Sequence, residues 1–414
     1  MKLEFGFGNT TQWVDVPDQN LLGVLQQNDV EAGFIPAVEL ARALEEPIGA
    51  PKLREIVRAG EKVVIVTSDI SRPLPSYELL PPLLDELYAG GVSPTDITLV
   101  FALGVHRRHT LEERRKLAGE RAWAEIACID GDPGDCVQVG RTSRGTPVDI
   151  VRVVAEADRR ICLGNIEYHY FAGYSGGYKA IMPGVSTRAA IQNNHCRMVE
   201  ALACAGNLQN NPVREDIEEA GAMVGMDYLF NVVLDEHKQI VRAFAGDPIL
   251  AHRAGCAFLD RLYLKPISAR ADIVIASQGG APKDANLYQT QKALDNAKHA
   301  VKQGGVIILI GSCKEGLGEE VFEEWMTQSK TASGMIARIQ EDFQLGGHKA
   351  AAIAMVLETA DIYLVSDLAP SFVESIFLRP YETAQLAFAA ALDKCGQDAT
   401  VLAMPFAGSI LPRP

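Results

Sequence analysis

The chain has no surplus of positive charge: 39 Lys and Arg stand against 53 Asp and Glu, a formal net charge of −14 over 414 residues. Nucleic acid and anionic membranes both reward clustered Lys and Arg, so neither is expected as the main partner. A protein this acidic that handled anions would have to concentrate positive charge locally. No run of about 18 uncharged apolar residues occurs, so no membrane-spanning helix is expected. The opening segment MKLEFGFGNTTQWVDVP lacks the basic stretch and apolar core of an export signal. The eight cysteines (Cys128, Cys136, Cys162, Cys196, Cys204, Cys256, Cys313, Cys395) are dispersed without a CxxC pair, which argues against a disulfide framework or a cysteine zinc site. HExxH and Walker A spacings, short-period repeats and low-complexity tracts are also missing. A soluble, cytoplasmic, unexported protein with reduced thiols is the expectation.

What is there is ordinary globular composition: 48% hydrophobic and 22% charged residues, with a mean hydropathy of +0.04. The length exceeds what one core serves well and predicts two domains. Short apolar runs at Lys62–Val66, Ile97–Leu103, Arg160–Gly164, Ala271–Ser277, Val306–Gly311 and Ala360–Val365 read as buried parallel strands. Between them, PSYELLPPLLDELYAGG and LYQTQKALDNAKHAVKQGG read as helices closed by Gly pairs. Strand, loop, helix, strand predicts an α/β fold of two domains with doubly wound, mostly parallel sheets. The proline-bearing segment Leu264–Arg270 is the expected boundary, giving an N-terminal domain over 1–265 and a C-terminal one over 266–401. The last strand, within 402–414, is expected to return to the first domain, and the active site to lie in the interdomain cleft.

Polar and Gly-rich clusters fall just after strand ends, where open α/β sheets place ligands. In TSDISRPLP, Asp69 and Arg72 can face a ligand, and Arg offers a planar fork for a carboxylate or phosphate; a mutual Asp–Arg loop pair is the plainer alternative. In GVHRRHT, His106 stands at a strand end, where a general base is commonly displayed, although a capping or surface histidine fits equally; His109 is taken as structural. The densest cluster is EYHYFAGYSGGYKAIMPGVS, Glu167–Ser186. Its Gly173, Ser175, Gly176 and Gly177 can bring backbone N–H groups close to a phosphate, and Lys179 can serve as counter-ion or point of covalent attachment. His195 follows on a helix, with Cys196 turned away from it. In the second half, Tyr288, Gln289 and Lys292 lie on one helix, the last two sharing a face.

Together these segments resemble the nickel-pincer lactate racemase family. Its marks are a D-x-x-R-P loop, a G-[LV]-H strand end, an H-x-x-A-G-[FY]-S-G-G-x-K-x-x-x-P-G loop, a downstream histidine and an L-Y-Q-x-x-K helix. Here they read Asp69–Pro73, Gly104–His106, His169–Gly184, His195 and Leu287–Lys292, in order over most of the chain. The resemblance implies a racemase or epimerase that inverts C2 of a small 2-hydroxy acid by proton-coupled hydride transfer. It also implies a nickel-pincer nucleotide, a pyridinium-3-thioamide-5-thiocarboxylic acid mononucleotide with nickel, attached covalently at Lys179 and supplied by cofactor-biosynthesis proteins. On this footing His195 binds nickel, while Asp69, Ser175, Gly176 and Gly177 contact the cofactor. His106 and His169 are the two catalytic bases, and Arg72, Tyr288, Gln289 and Lys292 bind substrate.

Two positions depart from the family pattern: Arg108, where proline is expected, and Tyr174, where Phe is usual. Arg108 faces a larger substrate or is a solvated loop charge. His348 and Lys349, in GGHKA, are further candidates for the cleft. The competing readings are a sugar-acid 2-epimerase on the same cofactor, a non-catalytic nickel-nucleotide carrier, and a three-histidine zinc hydrolase.

Overall fold

Each apolar run picked out above is a strand in the computed structural model, which describes residues 1–28, 35–235 and 237–414. The strands are Val63–Ser68, Ile97–Ala102, Arg159–Asn165, Ala271–Ser277, Val301–Ile310 and Asp361–Val365. Val63, Val64, Ile65 and Val66 are at most 2% exposed, so both faces of this strand are covered. A continuous apolar run, rather than an alternating one, reflects that double coverage.

The chain divides into two units, Val30–Arg261 and a discontinuous one composed of Met1–Asp29 and Leu262–Pro414. Among the described residues, the Val30–Arg261 unit holds a six-stranded sheet. Its spatial order is Ile240–Gly246, Tyr228–Leu234, Arg159–Asn165, Val63–Ser68, Ile97–Ala102, Ala127–Asp130. All neighbours are parallel except the first two. The chain winds outward from Val63–Ser68 to Ala127–Asp130, then returns to the other side of Val63–Ser68 with Arg159–Asn165. That reversal opens a crevice at the carboxyl ends of these two strands, where ligands of such sheets bind. The loops carrying Asp69, His106 and His169 to Lys179 all leave the carboxyl ends of these central strands.

Helix Ser76–Ala89 shows how packing overrides local preference. It contains Pro81 and Pro82, and an interior proline costs about 3 kcal/mol. Leu79, Leu80, Leu83, Leu84 and Leu87 are all 0% exposed, and burying each contributes roughly 1.5 to 3 kcal/mol. Five such leucines outweigh the two prolines. The helix ends at the expected glycine pair, with Gly91 at φ 87°.

The second sheet, again of six strands among the described residues, is parallel throughout. Its order is Arg379–Tyr381, Asp361–Val365, Val301–Ile310, Ala271–Ser277, Val401–Met404, Leu21–Val24. This corrects two expectations. The 402–414 tail does not rejoin the first domain: Val401–Met404 pairs with Ala271–Ser277, and Leu411–Arg413 pairs with Leu264–Pro266. The N-terminal residues do not belong to the first domain either, because Leu21–Val24 pairs with Val401–Met404 and completes the edge of this sheet. The division therefore falls at 261/262, just ahead of the proline segment. The helix starting at Leu287 also stops at Ala297, short of the Gly pair. Fully buried Val301 pairs with Ala271 and starts the next strand there. No helix among the described residues is long and apolar enough to cross a membrane.

Candidate active site

Asp69 ends the strand Val63–Ser68 and is 4% exposed. Its carboxylate accepts a hydrogen bond from His106 Nδ1 at 2.6 Å and from Ser71 Oγ at 2.8 and 3.0 Å. Burial opposes the charge on Asp69, but these hydrogen bonds, with the charges of His106 and Arg72, hold the carboxyl below the usual aspartate value. An ionised Asp69 fixes the His106 proton on Nδ1 and leaves the lone pair on Nε2, the form a general base needs. Both oxygens of Asp69, which is expected at the cofactor, hydrogen-bond with His106 and Ser71. It pairs with His106 rather than with Arg72. The loop itself is pinned by His109, whose Nε2 accepts from the Ile70 N–H at 3.0 Å while Nδ1 meets Asp130 at 2.6 Å. The structural reading of His109 thus has a specific content.

His169 is set the opposite way. Its Nδ1 accepts from the Ala172 N–H at 3.2 Å, so the neutral ring carries its proton on Nε2. Burial, then the charges of Lys179, Arg72, His195 and Arg214, push its pKa well below the ordinary histidine value. The expected pair of equivalent bases is therefore, in this state, one ring with its lone pair on Nε2 and one with its proton there.

Phe171, unread at the sequence level, is the hub of the third group. Its ring lies 4.4 Å from the His169 ring and 4.9 Å from the His195 ring, edge-on to both, and 5.8 Å from Lys179 Nζ. Burial, followed by the charges of Arg214 and Arg72, pushes the Lys179 amine well below the usual lysine value, against the opposing charge of Glu167. A lowered pKa makes the nucleophilic, unprotonated amine easier to reach. His195 closes the helix Arg188–His195 and is 7% exposed. Its Nδ1 pairs with Asn194 Oδ1 at 2.8 Å; the Asn194 amide nitrogen itself donates to Val213 O and Asp216. His195 therefore donates from Nδ1 and keeps the Nε2 lone pair, the arrangement typical of a metal-binding imidazole.

The glycine loop is held by hydrogen bonds within the protein. The Ser175 N–H donates to Glu167 O at 2.9 Å, and Ser175 Oγ donates to Asn165 O at 2.7 Å while accepting from the Glu167 N–H. The Gly177 N–H donates to Asn231 Oδ1 at 2.9 Å. These bonds shape the path of the chain to Lys179. Gly176 and Gly177 have φ of 71° and 62°, and a Cβ on Gly176 would lie 2.5 Å from Asn231 Oδ1. Buried Asn231 and His252, the latter donating to Ser175 O at 2.9 Å, hold the loop from beneath. Neither carries a sequence signal, because each acts across the fold from a distant strand or helix.

In the other unit, Asn286 caps the helix Leu287–Ala297 by accepting from the Gln289 N–H at 3.0 Å. The Tyr288 ring packs on Phe322, with centroids 5.6 Å apart, and the Lys349 ammonium lies 3.9 Å from the Tyr288 ring centroid while also donating to Tyr288 O. Gln278 donates to Gln289 O at 2.7 Å. Tyr288 and Gln289 are half-buried and Lys292 is exposed. His348 is buried, its Nδ1 accepting from the Gly346 N–H at 3.0 Å, and so fixes its own loop.

The departures at Arg108 and Tyr174 have plain structural accounts. Arg108 is exposed and pairs with Asp132 at 2.7 Å. Tyr174 is 2% exposed and its hydroxyl donates to Asp260 at 2.8 Å.

A doubly wound α/β scaffold that gathers a carboxylate-oriented histidine, a second, half-buried histidine and a lysine whose pKa is pushed down at the sheet's reversal point has the makings of an enzyme. Residues 7–205 match the lactate racemase N-terminal domain and residues 267–411 the lactate racemase C-terminal domain. The chain is 31% identical to the lactate racemase of Thermoanaerobacterium thermosaccharolyticum over 99% of both chains. It is 34% identical to that of Lactiplantibacillus plantarum over 77% of each. The solved structure of the Thermoanaerobacterium lactate racemase apoprotein superposes with a TM-score of 0.89, covering both chains completely. A Thermotoga maritima protein at 17% identity shares the fold, with a TM-score of 0.61. The chain belongs to the lactate racemase family and is an isomerase.

Proposed function

We propose that the chain racemises a small 2-hydroxy acid, lactate being the first to test, with proton transfer by His106 and His169 coupled to hydride transfer at C2. The observation that carries this reading is the 2.6 Å contact between Asp69 and His106 Nδ1, which turns the Nε2 lone pair of His106 to use as a base, while His169 is anchored at Nδ1 by the Ala172 N–H and presents Nε2. The C2–H of a hydroxy acid is too weakly acidic for a side-chain base. Losing it as hydride while the hydroxyl gives up its proton avoids a carbanion and yields a planar 2-keto acid. His106 Nε2 accepts that hydroxyl proton; when the centre re-forms with inverted configuration, the proton comes from His169 in its imidazolium form, since a neutral ring that lost its Nε2 proton would become an imidazolate. In the reverse direction the two exchange roles. Arg72 binds the carboxylate, with Tyr288, Gln289 and Lys292 as further substrate-binding residues.

The chain's own residues fit a nickel-pincer nucleotide. Lys179 offers an amine whose pKa is pushed down, for covalent attachment, and His195 offers an Nε2 lone pair, a good donor for Ni(II). When bound, that group supplies the acceptor and donor of hydride. The cofactor-making proteins are the implied partners. Among the described residues no three His, Cys, Asp or Glu side chains converge as a metal site, which leaves a three-histidine zinc hydrolase without support. A bare carrier has no use for the Asp69–His106–Ser71 network, and the exposed Arg108 removes the sequence argument for a larger sugar acid.

The test uses C2-deuterated lactate in ordinary water with cofactor-loaded enzyme. Retention of deuterium in the inverted product supports hydride transfer. Its replacement by solvent hydrogen contradicts it, and absence of inversion with a series of 2-hydroxy acids contradicts the racemase reading itself.

A further inference from the structure

We propose that Arg214 is a positioning residue for the proton-transfer site, holding the Ala172 peptide in the orientation that keeps the His169 proton on Nε2. Arg214 lies in the first turn of helix Pro212–Val224 and is 0% exposed. Its Nε donates to Ala172 O at 3.0 Å and its Nη2 donates to Tyr174 O. The Ala172 peptide is thus gripped at its carbonyl, while the N–H of the same residue donates to His169 Nδ1 at 3.2 Å. The helix cap completes the clamp. Asn211 accepts from the N–H groups of Val213 and Arg214, at 3.1 Å each, and its amide donates to Phe171 O at 2.9 Å. Three carbonyls of one stretch, at 171, 172 and 174, therefore hang from a single helical turn.

The energetics make this a costly arrangement for mere scaffolding. A buried guanidinium is tolerated when paired and saturated with hydrogen bonds. Here the nearest carboxylate, Glu218, lies 4.0 Å away and Nη1 is buried without a partner. Burial pushes the Arg214 pKa down to about 10. A neutral donor such as Gln would cost less but could not span both carbonyls and project positive potential onto the loop. That potential disfavours a second proton on His169 and a proton on Lys179 alike. Arg214 touches neither group and acts through the loop it grips.

The inference gains its catalytic meaning from the reading of His169 as a proton-transferring residue, but it is tested without turnover. Nitrogen-15 NMR of histidine-labelled protein, with His169 assigned through a His169→Gln variant, reports the ring tautomer directly. The wild type is expected to show the Nε2–H form. Arg214→Met should shift His169 toward a mixture of both tautomers, while Arg214→Lys, which can still reach one carbonyl, should restore most of the native signal. Should Arg214→Met fail to fold by circular dichroism, Arg214→Gln carries the same reading. An unchanged His169 tautomer in a folded Arg214 variant overturns the proposal, as does an Nδ1–H form in the wild type. Failure of racemisation alongside the expected tautomer shift would instead count against the function proposed above and leave the clamp standing.

Discussion

Replacing Asp69 by Asn keeps the shape of the His106 partner and removes its charge. The 2.6 Å contact joins a carboxylate that is 5% exposed to a ring that is 25% exposed, short enough and dry enough to count as a charge-assisted hydrogen bond. Such a bond contributes about 1.5 to 3 kcal/mol. At 1.4 kcal/mol per tenfold, its loss from the transition state lowers kcat/KM by about 10- to 100-fold. The asparagine can also turn its amide nitrogen toward His106 Nδ1, which would force the proton onto Nε2 and remove the base. Reversing a tautomer this way in a comparable histidine–carboxylate pair costs on the order of ten-thousandfold. The assay is polarimetric racemisation of each lactate enantiomer by cofactor-loaded protein, with nickel content measured in the same sample. Nickel should be retained, because the Asp69 carboxylate hydrogen-bonds with His106 and Ser71 and the nickel ligand proposed here is His195. Full kcat/KM in Asp69→Asn with normal nickel would refute the assignment of His106 as a base oriented by Asp69, and loss of nickel would return Asp69 to the cofactor.

Other perturbations probe separate parts of the account. Lys179→Met should stabilise the cofactor-free protein at pH 7 by about 0.5 to 2 kcal/mol, as removal of a strained functional group commonly does. The folded amine is held below 10.5, so between its folded and unfolded values the unfolded chain binds the extra proton. This lysine's contribution to stability therefore rises with pH across that window, and the advantage of Met in thermal melts should shrink toward pH 10; a gain independent of pH would contradict it. Gly177→Ala places a Cβ at φ 62° and 3.0 Å from the His252 ring, which should cost about 1 to 3 kcal/mol in urea unfolding, and a change below about 0.5 kcal/mol would show that the loop relaxes freely. Lys292→Met should raise KM about 10- to 100-fold while leaving nickel content unchanged, as expected for loss of a carboxylate partner; an unchanged KM removes Lys292 from the substrate-binding set.

Sheets and loop positions were legible in the chain because their signals are local. KVVIV and ADIVIAS are apolar without alternation, and the polar clusters behind such strands fall where a doubly wound sheet must open. His106, His169, Lys179 and His195 were readable as candidates because reactive side chains stood in those clusters. What stayed hidden is carried by contacts between distant segments. Leu21–Val24 reads as an ordinary short apolar stretch, and only its pairing with Val401–Met404 assigns it to the other unit. Asn211 before Pro212 announces a helix start, yet nothing local reveals that Arg214 points inward to the carbonyls of another loop. For the glycines, sequence shows the freedom of the backbone but not partners within the protein such as Asn231, which accepts from the Gly177 N–H.

The most direct test of a lysine-tethered nickel nucleotide is intact mass with metal analysis on protein co-expressed with the cofactor-making proteins, beside Lys179→Ala and His195→Ala. The account predicts an added mononucleotide-sized mass and about one nickel per chain in the wild type, no adduct in Lys179→Ala, and an adduct with depleted nickel in His195→Ala. A wild-type chain without adduct or nickel, under conditions that load the Lactiplantibacillus plantarum lactate racemase, would contradict it.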